Sequence, residues 1–342
     1  GRYTAFVERA GLLHLYDSNL SRLIWTYESD DITDIYDVEI SKDGRYVLVG
    51  GSNQGTSTDS PTVLLERING DLVCSFDSVG LSVAISYTGN YIAIADGDEL
   101  EFYTFDLNDT CELQWSYDVG SFDIVTEKGL SISDDGDHTA ILYKSGSNYY
   151  KAAMFDKNSE NPEWDINIGS SADAIEISGD GSTVAVVKSS SYGLTKITED
   201  GNSNAYFTGS GVSKHVSISY SGEHILVGQG KYADGGEALL FEKDGDSYVS
   251  KEFEIGQIVT SASLSSNGAF FVVSYSDRML VHDWRSLSEP WLLWINTIIL
   301  IFTSFVFHKA KVLSDKNELE KAKSYLLLVG FLTFAFITGQ LM

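Results

Sequence analysis

Residues 38–51 read VEISKDGRYVLVGG: an alternating apolar run ending in serine, a turn ending in glycine, and a second apolar run. The arrangement returns five times, and successive turn glycines are 41 to 47 residues apart. Those glycines are Gly44, Gly89, Gly136, Gly181, Gly222 and Gly268. A fixed period of this size is typical of repeat architectures, in which each repeat is one supersecondary unit.

Each repeat predicts four antiparallel strands. The run before the serine alternates apolar and polar residues, as expected of a strand with one buried face. The D-G, T-G, S-G or N-G pair allows the positive φ angles of a tight hairpin turn. The apolar run that follows suits a strand covered on both faces. A third run such as TVLLERI (62–68) and a fourth run such as LQWSYDV (113–119) complete the unit. Four such strands in about 45 residues indicate a propeller blade.

The N-terminus extends the count to seven repeats. GRYTAFVE (1–8) matches DGRYVLVG (43–50), and Trp25 then aligns with Trp115 and Trp164 in the fourth strands. We therefore expect an all-β, seven-bladed β-propeller over residues 1–284. Its first blade lacks the first strand, and its last blade ends at MLVHDW (279–284) without a fourth strand. We expect chain upstream of residue 1, following a targeting segment, to supply both strands.

The repeat pattern of residues 1–284 resembles that of known propeller families. The S-x-D-G-x-Y-x-x-V pattern resembles the YVTN-type repeats of surface-layer propellers and the wider WD-repeat superfamily. Trp25, Trp115 and Trp164 resemble the tryptophans of quinoprotein-type blades. The resemblance implies the propeller fold. Intracellular WD repeats carry a Gly-His and a Trp-Asp pair in each blade, whereas here Gly-His is absent and Trp-Asp occurs only at Trp164-Asp165. Quinoprotein dehydrogenases have eight blades and adjacent cysteines, which this chain also lacks.

The pattern stops after Pro290. WLLWINTIILIFTSFVF (291–307) and YLLLVGFLTFAFITGQLM (325–342) contain no charged residue. A helix needs about 17–25 such residues to cross a bilayer core. We therefore predict two transmembrane helices at 291–307 and 325–342, joined to the propeller by a linker at 285–290. The alternative, a buried helix of a soluble protein, is disfavoured because a closed propeller has no need of two such segments.

The loop between these segments predicts the orientation. Residues 308–324 contain five lysines, and short lysine-rich loops stay in the cytoplasm. The propeller would then lie on the extracytoplasmic side of the cell membrane. Residues 291–342 carry five lysines against three acids, so residues 1–290 account for −28 of the formal net charge of −26. An anionic cytoplasmic leaflet would repel such a domain, which agrees with this topology.

Composition excludes several classes of protein. The 23 basic and 49 acidic residues exclude nucleic-acid binding by phosphate neutralisation. Two cysteines are too few for a disulfide scaffold or a four-cysteine zinc site. Cys74 and Cys111 fall in or near the outer strands of neighbouring blades, where a disulfide and two free thiols both remain open. Asn19 and Asn108 begin glycosylation sequons, which also arise by chance.

The polar clusters have plain structural explanations. SDDGD (133–137) and KDGDS (243–247) have calcium-binding residue types, but turn formation explains them and neither has the full spacing of a calcium loop. His138 and His224 occupy the same place in two repeats, so we interpret them as repeat positions. H-E-x-x-H, G-x-S-x-G and phosphate-binding loops are absent. The sequence therefore predicts no catalytic residue, no cofactor-binding residue and no metal ligand.

These features predict only a general class of function. We expect a membrane-anchored scaffold that binds a macromolecule, either a protein or a surface polymer, on one propeller face. The longest insertions, GSNQGTSTDSP (51–61) and GKYADGGE (230–237), both join second to third strands and would lie on that face. One alternative is the input domain of a membrane signalling protein. Another is a quinoprotein-like or hydrolytic enzyme.

Overall fold

The structure is a computed structural model of the 342-residue chain. It describes residues 2–8, 11–28, 32–52, 62–106, 110–120, 128–145, 149–189, 193–208, 211–231, 235–275, 278–283, 303–314 and 319–341. The chain divides into two compact units, Gly1–Asp283 and Trp284–Met342.

The first unit contains seven antiparallel sheets, which confirms the predicted seven-bladed propeller. The first blade contains β1 (Tyr3–Glu8), β2 (Leu12–Asp17) and β3 (Arg22–Tyr27). The second contains β4 (Asp34–Ile40), β5 (Tyr46–Ser52), β6 (Thr62–Glu66) and β7 (Leu72–Phe76). The third contains β8 (Ser82–Ile85), β9 (Tyr91–Asp96), β10 (Glu99–Phe105) and β11 (Cys111–Asp118).

The remaining blades repeat this order. The fourth contains β12 (Leu130–Ile132), β13 (His138–Ser145), β14 (Tyr149–Asp156) and β15 (Trp164–Gly169). The fifth contains β16 (Ala172–Ile177), β17 (Thr183–Lys188), β18 (Leu194–Thr198) and β19 (Ser203–Tyr206). The sixth contains β20 (Val212–Ile218), β21 (His224–Lys231), β22 (Gly235–Asp244) and β23 (Ser247–Glu254). The seventh contains β24 (Val259–Leu264), β25 (Phe270–Tyr275) and β26 (Arg278–Asp283).

The first and seventh sheets have three strands each among the described residues, as the repeat alignment predicts. In the first blade β1 occupies the place of a second strand, and in the seventh blade β26 occupies the place of a third. The expectation that upstream chain supplies the other two strands stays a prediction.

The serine of each repeat builds the turn between the first two strands. The Ser133 hydroxyl donates a hydrogen bond to Asp135 Oδ1 at 2.6 Å and accepts one from the His138 backbone N–H at 3.0 Å. Ser178 makes the same two bonds, to Asp180 and from Thr183. The hydroxyl is therefore fully used although both serines are buried. This arrangement explains why serine and aspartate recur in the motif.

The turn glycine is required for two reasons, which Gly136 illustrates. Its φ is +77°, a conformation that L side chains rarely adopt. It also receives a side chain from the preceding blade, since a Cβ on Gly136 would lie 2.1 Å from Cδ2 of Tyr91. The first residue of each second strand thus packs onto the turn of the next blade.

Backbone hydrogen bonds also join these turns from blade to blade. The Tyr87 N–H donates to the Asp134 carbonyl at 2.9 Å, and the Asp134 N–H donates to the Gly179 carbonyl at 2.8 Å. Tyr220 continues the series with a 2.8 Å bond to Ser266. Successive turns are therefore locked to one another around the axis.

Tryptophans make a second connection at the outer strands. Trp25, Trp115 and Trp164 each donate the indole N–H to a backbone carbonyl of the following blade, at 2.7–3.0 Å. Trp115 also stacks between Phe102 of its own blade and Phe155 of the next, with ring centroids 5.0 and 5.5 Å away. The hydrophobic core accordingly lies between blades.

Cys74 and Cys111 form a disulfide with a Cα–Cα distance of 6.3 Å. Cys74 lies in β7 and Cys111 begins β11, so the bond joins the outer strands of the second and third blades. This resolves the choice that the sequence left open.

The second unit contains two helices among its described residues. The first, α1, covers residues 303–314, and the second, α2, is Leu319–Leu341. Residues 291–302 of the first predicted span lie outside the described residues. Within the part of the chain that the structure describes, no helix has both the length and the apolar character needed to cross a membrane. The predicted spans therefore stay a prediction.

Substituting Gly136→Ala should destabilise the propeller by about 3 kcal/mol or more, since left-handed backbone strain and overpacking each cost about 1–3 kcal/mol. Gly97→Ala is the matched control, because Gly97 has a φ of +57° and nothing within 4 Å of its Cβ position. It should cost about 1 kcal/mol. Denaturant unfolding measures both values. Equal costs, or no recovery of Gly136→Ala by Tyr91→Ala, would contradict the inter-blade contact.

Removing the disulfide should cost about 2–4 kcal/mol of unfolding free energy, because its closed loop restricts the unfolded chain. The double variant Cys74→Ser/Cys111→Ser, unfolded without reductant, measures this loss. Reductant should destabilise the natural chain by a similar amount and leave the variant unchanged. A reductant-insensitive natural chain would show that the bond does not form.

Candidate functional site

One repeat position, the residue two places before the turn serine, contributes a layer of side chains to the lining of the central channel. At that position the described blades place two glutamates, three serines and an alanine. They are Glu39, Ala84, Ser131, Glu176, Ser217 and Ser263. The channel encloses about 390 Å³. Since the same position of each blade lies at the same depth, these side chains form one layer.

The two ends of the channel are distinct. We call the end with the serine–glycine turns, such as 41–44 and 86–89, the lower face. The end with the connections between second and third strands, such as 97–98, is the upper face. Inner strands run from the upper face to the lower face, so Lys128 marks the upper end and Lys42 the lower end.

Most oxygens in this layer accept hydrogen bonds from the next blade. Ser131 Oγ accepts from the Ile177 N–H at 3.2 Å, and Ser217 Oγ accepts from the Leu264 N–H at 3.0 Å. Glu176 accepts bonds from the backbone of Ile218 and the hydroxyl of Ser217. These side chains therefore join neighbouring blades from the fourth to the seventh.

Glu39 differs from the other members of the layer. It accepts no such hydrogen bond among the described residues. Its side chain is exposed to the channel, and the protein surrounds that channel. This enclosure, followed by repulsion from Asp37 and Glu176, raises its pKa to about 8. Burial likewise raises the pKa of Glu176 to about 7.

A third carboxyl lies above Glu39 on β4. Asp37 accepts hydrogen bonds from the Val83 N–H at 3.0 Å and from Ser82 Oγ at 3.2 Å. Burial still raises its pKa, because the desolvation cost outweighs these bonds. Asp37 thus fixes the neighbouring inner strand and adds negative charge to the channel.

Two lysines partly offset this charge. Lys128 favours ionisation of Asp37, Glu39 and Glu176. Burial, and then the Lys128 charge, lower the pKa of His215 to about 4. At the lower end, Lys42 pairs with Asp134 two blades away, and its charge also favours ionised Glu39 and Glu176.

The raised pKa values of the channel carboxyls determine what the channel can bind. Carboxyls with raised pKa values can hold a proton at neutral pH and release it when a cation approaches. The channel can therefore bind a metal ion, an amine or a basic side chain in exchange for a proton. A carboxyl that is still protonated can also donate a proton to a bound group.

The structure locates the other predicted features. Asn19 is exposed in the turn between β2 and β3, whereas Asn108 lies outside the described residues. Asp135 is held by Ser133 and by the Asp137 N–H, which supports the turn interpretation of 133–137. The insertion 51–61 does join a second to a third strand, and its residues 53–61 lie outside the described residues. The expectation of a long loop at 230–237 is wrong, because β21 continues to Lys231 and β22 begins at Gly235, so that only residues 232–234, outside the described residues, connect the two strands.

Sequence reasoning overlooked Glu39 and Glu176 as a pair. They are 137 positions apart and belong to no recognised motif. The signal that could have found them is the repeat alignment itself, because both stand in the same column two residues before the serine. Only two of the six aligned repeats have an acid in that column, so the alignment already indicates that acidic side chains are unevenly distributed around the channel.

Comparison with solved structures shows the fold alone. The chain is similar to Kuenenia stuttgartiensis hydrazine synthase, with a TM-score of 0.63, 12% identity, and coverage of 83% of this chain and 93% of that chain. It is also similar to the Myceliophteria thermophila Cps50 (Swd1) β-propeller domain, with a TM-score of 0.62, 12% identity and the same coverages. A chain of the Mitotic Checkpoint Complex has a TM-score of 0.62 and 13% identity, over 81% of this chain and 82% of that chain. No protein-family model and no curated protein sequence matches the chain.

The raised pKa of Glu39 makes stability depend on pH. The folded chain keeps this proton between the ordinary value of 4.5 and about pH 8, whereas the unfolded chain has lost it. Stability should therefore fall as pH rises through this window. Glu39→Gln removes the effect, so it should stabilise the protein by about 1–2 kcal/mol at pH 9, after allowance for channel water, and by nothing at pH 4.

Glu112→Gln, on the exposed outer strand β11, is the matched control for a glutamate-to-glutamine change outside the channel. Urea unfolding at pH 4, 7 and 9 measures all three proteins. A Glu39→Gln variant that is less stable than the natural chain at pH 9 would contradict the proposed environment.

Proposed function

We propose that the chain is a membrane-anchored, extracytoplasmic propeller that binds a macromolecular partner at its upper face. The observation that carries the proposal is the ring of blades, in which backbone bonds join the turns of the second to seventh blades. The two longest stretches between described strands, 53–61 and 119–129, both begin and end at the upper face. A rigid scaffold that presents variable loops is a general design for binding.

The disulfide supports the extracytoplasmic location. Cys74 and Cys111 account for both cysteines of the chain, and neither is free. Disulfides persist in oxidising compartments and are rare in the cytosol. The exposed sequon at Asn19 is compatible with the same location.

The sequence of the second unit supports the anchor. Two uncharged segments at 291–307 and 325–342 flank the lysine-rich residues 308–324. Lysines in a short loop orient such a hairpin with the loop inside. The propeller, with its excess of acids, would then lie outside.

The similar structures are compatible with a binding role. One of them is a chain of the Mitotic Checkpoint Complex, which is an assembly. The described residues contain no contact that favours the sensor or the enzyme alternative over binding. Membership in the YVTN, WD-repeat or quinoprotein families likewise rests on the sequence pattern.

Cysteine labelling tests the topology. In a background of Cys74→Ser/Cys111→Ser, a cysteine introduced by Ser247→Cys should react with an impermeant thiol reagent in intact cells. A cysteine introduced by Ser314→Cys should react only after the membrane is broken, because the lysines hold its loop inside. Both serines are exposed, so accessibility within the protein does not differ between them. The reverse pattern would place the propeller in the cytoplasm.

Photo-crosslinking tests the binding face. Tyr36 and Tyr149 lie at the upper face and are 46% and 59% exposed, while Tyr87 and Tyr220 lie at the lower face and are 47% and 49% exposed. A photoreactive phenylalanine analogue is placed at each position in intact cells. We expect a discrete adduct from the upper pair only. Adducts from the lower pair alone, or from no position, would overturn the proposed binding face.

A further inference from the structure

Three ligand-type side chains converge at the lower edge of the fourth blade. His138, Asp156 and Glu163 each offer one nitrogen or oxygen atom, and these atoms all lie within 4.8 Å of one another. The cluster is separate from the channel, and the repeat pattern explains His138 only as a repeat position. Its members lie at the start of β13, at the end of β14 and just before β15. They are not adjacent in the sequence, so no linear motif contains all three.

The sheet fixes the positions of all three residues. His138 begins β13 and is the register partner of Asp156, which ends β14. Glu163 directly precedes β15, and its N–H donates to the Met154 carbonyl at 2.8 Å. Sites on strands hold their geometry more closely than sites on loops. The three groups are thus brought together by the same ladder that forms the blade.

The imidazole orients one nitrogen toward the carboxylates. Its Nδ1 packs against Gly181 of the fifth blade, where an added Cβ would lie 2.6 Å away. Its Nε2 lies 3.7 Å from Glu163 Oε2, which is too far for a direct hydrogen bond. Two ligands on one tetrahedral ion with bonds near 2.1 Å are about 3.4 Å apart. The observed separation is therefore close to that of two ligands of a shared ion.

The surroundings leave the site negative and partly exposed. Lys157, which follows Asp156, pairs instead with Asp137. Asp156 Oδ1 accepts hydrogen bonds from Asn158 N and Nδ2 at 2.8 and 2.9 Å, which orients its carboxylate. The side chains of His138 and Glu163 are 17% and 38% exposed, so an ion can reach them from solvent.

We propose that His138 Nε2, Asp156 and Glu163 form a binding site for a divalent transition-metal ion of the zinc class. An imidazole with two carboxylates suits Zn²⁺, whereas Ca²⁺ takes oxygen ligands alone. Three protein ligands leave at least one position on the ion for water or for a group from a partner. This inference does not depend on the proposed function.

The sixth blade offers a matched internal control. His224 occupies the same repeat position as His138, and Glu242 is its register partner. Lys251 pairs with Glu242 at 3.1 Å, and the residue across from Glu242 on β23 is Val249. This blade therefore has two of the ligand types together with a competing cation, and it should not bind the metal.

Metal binding is measured on the full chain, purified in mild detergent without a histidine tag and stripped with a chelator. Competition with a chromogenic chelator gives zinc stoichiometry and affinity, and cobalt absorption reports the ligand geometry. We expect one zinc per chain. Asp156→Asn and Glu163→Gln should each weaken binding at least tenfold, while Glu242→Gln should change it less than twofold.

His138→Gln should also abolish binding, but it removes a contact with Gly181, so its fold is checked by circular dichroism. The two carboxylate variants keep the test decisive, since both are nearly isosteric and partly exposed. The proposal is overturned if zinc does not bind saturably, if both carboxylate variants bind like the natural chain, or if Glu242→Gln loses zinc equally.

Discussion

The contact between one blade and the turn of the next is the constraint on which the rest of the structure depends. A side chain from each second strand lies directly on a turn glycine of the following blade, as Tyr91 lies on Gly136 and His138 lies on Gly181. No residue with a Cβ fits there without displacement. Backbone bonds between turns and indole bonds between outer strands reinforce the same junction. The blades are therefore held at a constant offset.

That constant offset determines the composition of the channel. Because each blade with a described first strand contributes the same repeat position at the same depth, a single column of the repeat becomes a layer around the axis. Serine in this column accepts a hydrogen bond from the next blade and carries no charge. Glutamate at positions 39 and 176 places two carboxyls in one enclosure. Burial raises both pKa values, and repulsion from Asp37 and Glu176 raises that of Glu39 further. The electrostatics of the site thus follow from the packing of the fold.

Sequence reasoning predicted the fold because its determinants are local and repeated. The serine, aspartate and glycine of the turn act within a few residues of one another, so their pattern is visible in one dimension. The disulfide was harder, because its geometry depends on how far the outer strands of two blades are offset. The clusters around Glu39 and around His138 depend on contacts between blades or across strands. Such contacts leave no linear motif, although the repeat alignment contained Glu39 and Glu176 in one column.

Enclosure of Glu39 and Glu176 in the channel should keep a carboxyl of this pair protonated at neutral pH. Infrared titration of the carboxyl band measures this protonation. A protonated carboxyl band should persist at pH 7 and disappear near pH 8–9. In Glu39→Gln the band should shrink to the part due to Glu176, whose pKa is about 7. In Glu176→Gln the band should disappear at lower pH, because the repulsion between the two groups is removed. A natural chain with every carboxyl ionised at pH 6, or a band unchanged by Glu39→Gln, would contradict the account.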